Sequence, residues 1–329
     1  MKNANAAVQN DKISFAYLYS KFGILSILIV TIIISAFLSD KFLTVTNFMN
    51  IIRQVSAVGI VACGAQMILL TGNVDLSPGS VMALGGCICV QVMVKTNNIA
   101  FGMIVGILTG FILGAVNGLV TTRCRVPSFI ITLAMQQIAR GFALIVTNGY
   151  AVSIPGDLRK QFTWLGQGYI FGTVPVPIVI LIIVFVITWL ILNHLRFGRY
   201  LYAVGDNASA AIAAGINNRN VIVTAFVTQG VLAGLAGVLL MSRLNSGLPN
   251  AAEGYEFDAI TAVIVGGTSM SGGVGNIYGT MIGALFVGSI TNIMNLINVS
   301  SYWQQIVQGL IIALAVIMDE RVRSGMKKN

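Results

Sequence analysis

Charge is what this sequence has least of. Only 9% of its residues are Asp, Glu, Lys or Arg, where a soluble domain carries about a quarter. Another 56% are hydrophobic, and the mean hydropathy is +0.88. A soluble core stops growing near ~250–300 residues and still needs a charged shell, so these apolar residues must face lipid and one another. Histidine occurs once, as His194, which excludes paired-His metal motifs. His194 ends an apolar run, where a cation suits a helix C-terminus. No Lys follows a Gly, so the phosphate-cradling loop ending in Gly-Lys-Ser/Thr is absent. The four cysteines, Cys63, Cys87, Cys89 and Cys124, lie in or beside apolar segments without metal-type pairing. They read as core or lipid-facing residues, and no metal is expected.

What is present is a succession of apolar runs. Ten read as membrane spans: 22–38, 48–70, 79–95, 100–121, 127–147, 174–193, 221–241, 257–270, 277–297 and 302–318. The first lacks a small-residue cleavage site and reads as uncleaved. The expected fold is all-α: a single polytopic domain over 1–329, with tails at 1–21 and 319–329, a bundle over 22–318 and an inner loop at 196–220. The net charge of +9 comes from single basic residues between runs, not from a dense patch with aromatics, so nucleic acid is not an expected partner. With the N-terminus cytoplasmic, the inner segments hold Lys2, Lys12, Lys21, Arg123, Arg125, Arg196, Arg199, Arg219, Arg321, Arg323, Lys327 and Lys328, twelve of the nineteen basic residues. The outer segments hold Lys41, Lys95, Arg159, Lys160 and Arg243. This bias places both ends in the cytoplasm.

Two glycine-rich breaks interrupt the runs: Thr71-Gly-Asn-Val-Asp-Leu-Ser-Pro-Gly-Ser80 and Gly266-Gly-Thr-Ser-Met-Ser-Gly-Gly-Val-Gly275. Non-helical backbone at membrane depth is tolerated only where protein or a water-filled cavity covers it, so both breaks mark pathway-facing or buried places, including Asp75, Gly267 and Thr268. Ser77 reads as the N-cap of a helix with Pro78 at its first position. Gly102, Gly106, Gly110, Gly114 and Gly118 form a ridge without side chains, as do Gly275, Gly279 and Gly283, suited to close helix contact. Ser128, Thr132, Gln136 and Arg140 fall on one stripe. The neutral groups of this stripe suit either an uncharged polyhydroxylated solute or interhelical hydrogen bonds. Asn292, Asn295 and Asn298 make a second stripe. Glu253, Glu256 and Asp258, with Arg243, are expected on an outer rim. In the inner loop, an Ala-rich helix from Ala208 to Ala214 ends at Gly215. That is more structure than a linker requires, and it suits a seat in a cytoplasmic motor.

Together these segments resemble the ribose-type sugar permeases of ABC importers, relatives of the galactose, xylose and autoinducer-2 permeases. The matching pieces are the two breaks, Phe197-Gly-Arg-Tyr-Leu-Tyr-Ala-Val-Gly-Asp-Asn207 with Ala214-Gly-Ile216, and Gly254-Tyr-Glu-Phe-Asp258. The resemblance covers most of the chain after residue 50. It implies a subunit of about ten helices with the cobalamin-importer architecture, in the bacterial inner membrane, paired with a second permease subunit. It also implies an ATPase below, which holds ATP and Mg, and a periplasmic or lipid-anchored sugar-binding protein above. Arg196, Gly198, Arg199, Gly205, Asp206, Asn207 and Gly215 are expected to couple to the ATPase. Asp75, Thr132, Gln136, Arg140, Gly267, Thr268, Asn292 and Asn295 are expected on the path or gate, and Arg159, Arg243, Glu253 and Glu256 at the docking surface. No cofactor is expected on this chain, which is read as a transport subunit and not an enzyme. A stand-alone secondary transporter or channel is the alternative, disfavoured because the spans lack a chain of buried carboxylates or histidines.

Overall fold

The computed structural model describes the backbone of residues 15–326 and the side chains of residues 23–320. The tails at 1–14 and 327–329 lie outside the described residues, as do the side chains of Lys21, Arg321 and Arg323. The chain is helical almost throughout: α1 (Phe15–Leu38), α2 (Val45–Leu70), α3 (Pro78–Thr96), α4 (Ile99–Cys124), α5 (Ser128–Thr147), α6 (Gly156–Gln167), α7 (Val176–His194), α8 (Arg196–Asp206), α9 (Ala208–Ala213), α10 (Asn218–Leu244), α11 (Tyr255–Val265), α12 (Ile277–Leu296) and α13 (Ser301–Met326). Two antiparallel two-residue ribbons complete it. Val152–Ser153 pairs with Ser246–Gly247, and Tyr169–Ile170 with Val174–Pro175. Among the described residues eight helices are long and apolar enough to cross a membrane: α2 to α5, α7, α10, α12 and the Ser301–Glu320 part of α13. Gly23–Leu38 of α1 adds a shorter apolar stretch.

Helix α2 is the buried post of the bundle, with every residue from Val55 to Leu70 inside. Around it the glycine ridges do what their spacing predicts. Each glycine of the α4 ridge faces α3 or α10 so closely that a methyl group would strike a neighbour. At Gly110 it would lie 2.1 Å from the Gly230 carbonyl, and at Gly106 2.6 Å from that of Gly85. Lipid offers helices no hydrophobic reason to associate, so backbone-to-backbone contact supplies it. On α12, Gly279 meets Gly266 and Gly283 meets Ala262 in the same way.

Three elements differ from the sequence expectation. The run 257–270 is not a full span. Helix α11 has only 11 residues, about 16 Å of rise against ~30 Å of hydrocarbon. Gly267 at φ +91 ends it, with its N–H bonded to the Ile264 carbonyl and that of Thr268 to Val263. The segment 248–254 leads into α11 as irregular backbone, with Ala252 at φ +58 and Gly254 at φ +84. The amphipathic helix α6 falls in a stretch read as a connection, and the inner loop carries a second helix, α8, ahead of the Ala-rich α9. Both α6 and α8 bury narrow apolar faces, which run-length reading of apolar spans overlooks.

Candidate functional site

The two irregular segments lead to a common point. The N-termini of α3 and α11 abut: a methyl group at Gly79 would lie 2.4 Å from the Ala252 carbonyl and 2.1 Å from Glu256 Oε2. This abutment is deep in the bundle. Ser77 is bonded to Asn117, about 10 Å from the C-terminal end of α4, and Met82 faces Gly237, about 10 Å from the opposite face at the end of α10. Helices α3 and α11 therefore present their N-termini to the interior of the bundle, where the aligned peptide dipoles are positive.

Backbone freed by such breaks must find partners, and the α5 stripe supplies them. The N–H of Val74 donates to Ser128 Oγ at 3.0 Å and that of Leu76 to Thr132 Oγ1 at 3.1 Å. Gln136 Nε2 donates to Glu256 Oε1 at 2.8 Å. Arg140 donates from one guanidinium nitrogen to the Pro249 carbonyl and, at 2.9 Å, to that of Ala251. One face of α5 thus spans both irregular segments, the first with its inner half and the second with its outer half. Ser77 does not cap α3 with its own side chain. Asp75 Oδ1 accepts its N–H at 2.8 Å and its hydroxyl at 2.6 Å, and Asn117 donates to its Oγ at 3.0 Å. The carboxylate takes the capping role because Ser77 already has helical backbone angles.

Beside the abutment lies an open cavity of about 470 Å³, walled by Gln136, Glu253, Glu256, Gln305 and Gln308 with Phe257 and Ile312. Glu256 is 2% exposed, so it is not part of an exposed outer rim. It turns inward because its Oε1 has a partner on α5. Asp258 turns the same way and accepts from Gln308. Glu253 is exposed, Arg159 is exposed on α6, and Arg243 lies at the end of α10.

The second glycine break lies elsewhere, at the end of the molecule formed by α8 and the C-terminus of α2. Here α8 touches both breaks at once. A methyl group on Gly205 would lie 1.8 Å from the Leu70 carbonyl and 2.6 Å from the Gly273 N, while one on Gly272 would meet Gly72 N at 2.7 Å and Gly205 Cα at 2.9 Å. The N–H of Gly273 donates to Leu70 at 3.0 Å. Tyr202 donates its hydroxyl to the Gly275 carbonyl at 3.0 Å, and burial raises its pKa, which keeps it a donor. The break is tied to α2 by Thr268, whose hydroxyl donates to Gln66 Oε1 at 2.7 Å. It is tied to α13 by Asp319, which accepts from Ser269 and from the N–H of Met270, both at 3.2 Å.

The residues expected to couple therefore lie along the consecutive helices α8 and α9 and the turn after them, although their roles differ. Gly198 lets α8 fold against the end of α7, where a methyl group would lie 2.2 Å from the Ile191 carbonyl. Asn207 accepts from Ala210 N and caps α9, and Gly215 at φ +80 ends the turn that follows α9. Arg196, Arg199 and Asp206 are exposed. The residues expected on the path separate into three places. Asp75, Thr132, Gln136 and Arg140 gather at the abutment, and Gly267 and Thr268 lie at the α8 end. Asn292 exchanges amide bonds of 2.9 Å with Asn47 near the opposite end, where Asn295 accepts from Gln304. Thr132 is fully buried, and its hydroxyl serves the irregular backbone of the first break, at Val74 and Leu76, and not a neighbouring helix. The sequence reading overlooked Gln66, Tyr202, Gln308 and Asp319. Gln66 was the most legible, as a lone amide in the apolar run 48–70, and Gln304 with Gln308 repeats the four-residue spacing used for α5.

Residues 47–316 match the family described as branched-chain amino acid transport system / permease component. The chain is 40% identical over 307 residues to the ribose import permease protein of Escherichia coli (strain K12), covering 93% of this chain and 95% of that one. It is 39% identical over 321 residues to the ribose import permease protein of Bacillus subtilis (strain 168), covering 98% and 99%. With the L-arabinose ABC transporter permease protein of Azospirillum brasilense it shares 36% over 307 residues, covering 93% and 89%. No solved structure matches the chain.

Proposed function

Because this chain belongs to the branched-chain amino acid transport system / permease component family, we propose that it is the membrane-spanning subunit of an ATP-driven importer for ribose or a related monosaccharide. Relatives at 36–40% identity over nearly the whole chain carry pentose names, which favours a sugar over the amino acids of the family description. The α8 end is the cytoplasmic face and the α6 end the outer face, as the distribution of Lys and Arg requires. Counting α1, and segment 248–254 with α11 as one broken crossing, the chain crosses ten times, with both termini inside, in an arrangement of the cobalamin-importer kind.

One observation carries the mechanism: the end of α8 is wedged, at Gly205, against Leu70 and Gly272–Gly273, where the end of α2 and the second break meet. An ATPase that holds ATP and Mg, seated on α8 and α9 with Arg196 and Arg199 at the contact, moves both breaks when it moves α8. Those breaks lead, through 73–77 and through α11, to the abutting helix ends. Coupling of this kind is worth about 1–3 kcal/mol in typical allosteric systems. A second copy of this chain closes the open side of the cavity between α5 and α13, since α13 buries none of its apolar window within the subunit. A sugar-binding protein docks on the outer face near Arg159, Arg243 and Glu253.

The test is uptake into vesicles with purified ATPase and binding protein. ATP-dependent entry of D-ribose is expected, L-leucine is not expected to enter, and deletion of residues 205–215 is expected to abolish uptake. Normal uptake after that deletion, or ion-gradient-driven uptake by this chain alone, refutes the reading.

A further inference from the structure

We propose that the cavity walled by Gln136, Glu256, Gln305 and Gln308 is an intramembrane way station that receives the hydroxyl groups of a neutral polyhydroxylated solute.

The first argument is chemical. A sugar hydroxyl both donates and accepts, and an amide side chain offers both senses from one group. Three amides from two helices, α5 and α13, face one cavity. Its volume of about 470 Å³ falls within the ~300–1,000 Å³ of small-molecule sites. Glu256 adds an acceptor through Oε1, which Gln136 engages, while its Oε2 is buried against Gly79 at the N-terminus of α3.

The second argument is selective. Glu253 and Glu256 both line this space, and the nearby cation, Arg140, already serves the Pro249 and Ala251 carbonyls. A solute carboxylate meets two acidic side chains, and among the described residues that wall the space there is no cation to receive it. The third is positional. Glu256 touches the N-terminus of α3 at Gly79, and α11 carries Glu256 at one end and the glycine break at the other. A displacement of the break by α8 is delivered along one rigid helix to the site, so the solute contacts change with the ATPase state. Weak, exchangeable bonds are what a path needs, since a solute held tightly is not released.

This inference rests on the sugar-import reading, and the experiment separates the two. The full complex with ATPase and binding protein, in vesicles, carries Gln305→Cys at the exposed rim of the cavity. The native Cys63, Cys87 and Cys89 are buried, and Cys124 is exposed on the α8 side, so a membrane-impermeant maleimide outside reaches the introduced thiol. Binding protein loaded with D-ribose is expected to slow labelling by about threefold or more relative to unloaded binding protein. Gln308→Leu is expected to abolish that protection and to reduce D-ribose uptake by about tenfold, the effect of removing one hydrogen-bonding partner, while ATP hydrolysis still responds to loaded binding protein. Equal labelling with loaded and unloaded binding protein overturns the inference, and so does unchanged uptake in Gln308→Leu. If the unmodified complex imports no monosaccharide, the sugar-import reading itself fails, an outcome distinct from both.

Discussion

A side chain at Gly205 is the sharpest perturbation the structure offers. The methyl group of Gly205→Ala would lie 1.8 Å from the Leu70 carbonyl oxygen, 2.6 Å from Gly273 N and 2.9 Å from the Leu70 carbonyl carbon. All three are backbone atoms, of the last residue of α2 and of the second break, so no rotamer change relieves the clash. Restoring ordinary contact requires α8 to retreat by roughly 1.5 Å, and such a shift also stretches the 3.0 Å bond from Tyr202 to Gly275 beyond useful length. Overpacking of this kind costs about 1–3 kcal/mol, the same range as a typical coupling free energy. D-ribose imported per ATP hydrolysed is therefore expected to fall by about fivefold to a hundredfold. Vesicles containing the permease, ATPase and binding protein measure both quantities in one sample. Gly215→Ala is the control: Gly215 also belongs to the inner loop and has φ +80, but no atom lies within 4 Å of the added group. Its left-handed backbone costs about 1–2 kcal/mol locally and leaves the wedge intact, so its transport stoichiometry should match the unmodified chain. Normal uptake per ATP in Gly205→Ala would refute the wedge as the coupling element.

Further expectations follow from the same contacts. Tyr202→Phe leaves the Gly275 carbonyl without its donor, and with about 0.5–1.5 kcal/mol at stake the uptake per ATP should drop about twofold to tenfold, with only a small fall in the unfolding temperature in detergent. Arg140→Leu strips two carbonyls of their donor at about 1–3 kcal/mol each; a lowered unfolding temperature in detergent and protease sensitivity around residues 248–254 are the readouts. Gly110→Leu forces a side chain into the Gly230 carbonyl and should separate α4 from α10, so that size-exclusion chromatography shows aggregate in place of a folded subunit. Asn292→Leu breaks the paired amides with Asn47 near the outer face, so a drop of about 1–2 kcal/mol in stability is expected with transport per ATP retained.

Much of the membrane architecture was legible because lipid imposes simple rules on sequence. Long apolar runs must be helices, which recovered α2 to α5, α7, α10 and α12 within a few residues, and the four-residue glycine spacing marked one face of α4 for close helix contact without naming its partner. The site was legible in its parts only. The α5 stripe was visible as a row of polar groups, but a polar row suits a solute path and a set of interhelical bonds equally well. The structure divides it, with Thr132 buried on the first break and Gln136 at the cavity wall. Glu256 was misplaced on a rim because acidic residues after a long span usually face water. Nothing in its local sequence reveals that Gln136, 120 residues earlier, is its partner.

By itself, then, the sequence determined what short-range periodicity and composition can encode: a multi-pass helical membrane protein, its glycine ridges, its two breaks and the glycine stop of its Ala-rich inner helix. Tertiary structure alone decided which distant segments meet. It joined Gly205 to Leu70 and Gly273, set Gly79 against Glu256, and made a half-helix of an apolar run that looked like a span. The physical reason is that these outcomes depend on backbone approaching backbone at glycines and on hydrogen bonds across more than a hundred residues, and neither leaves a periodic trace in the chain that makes them.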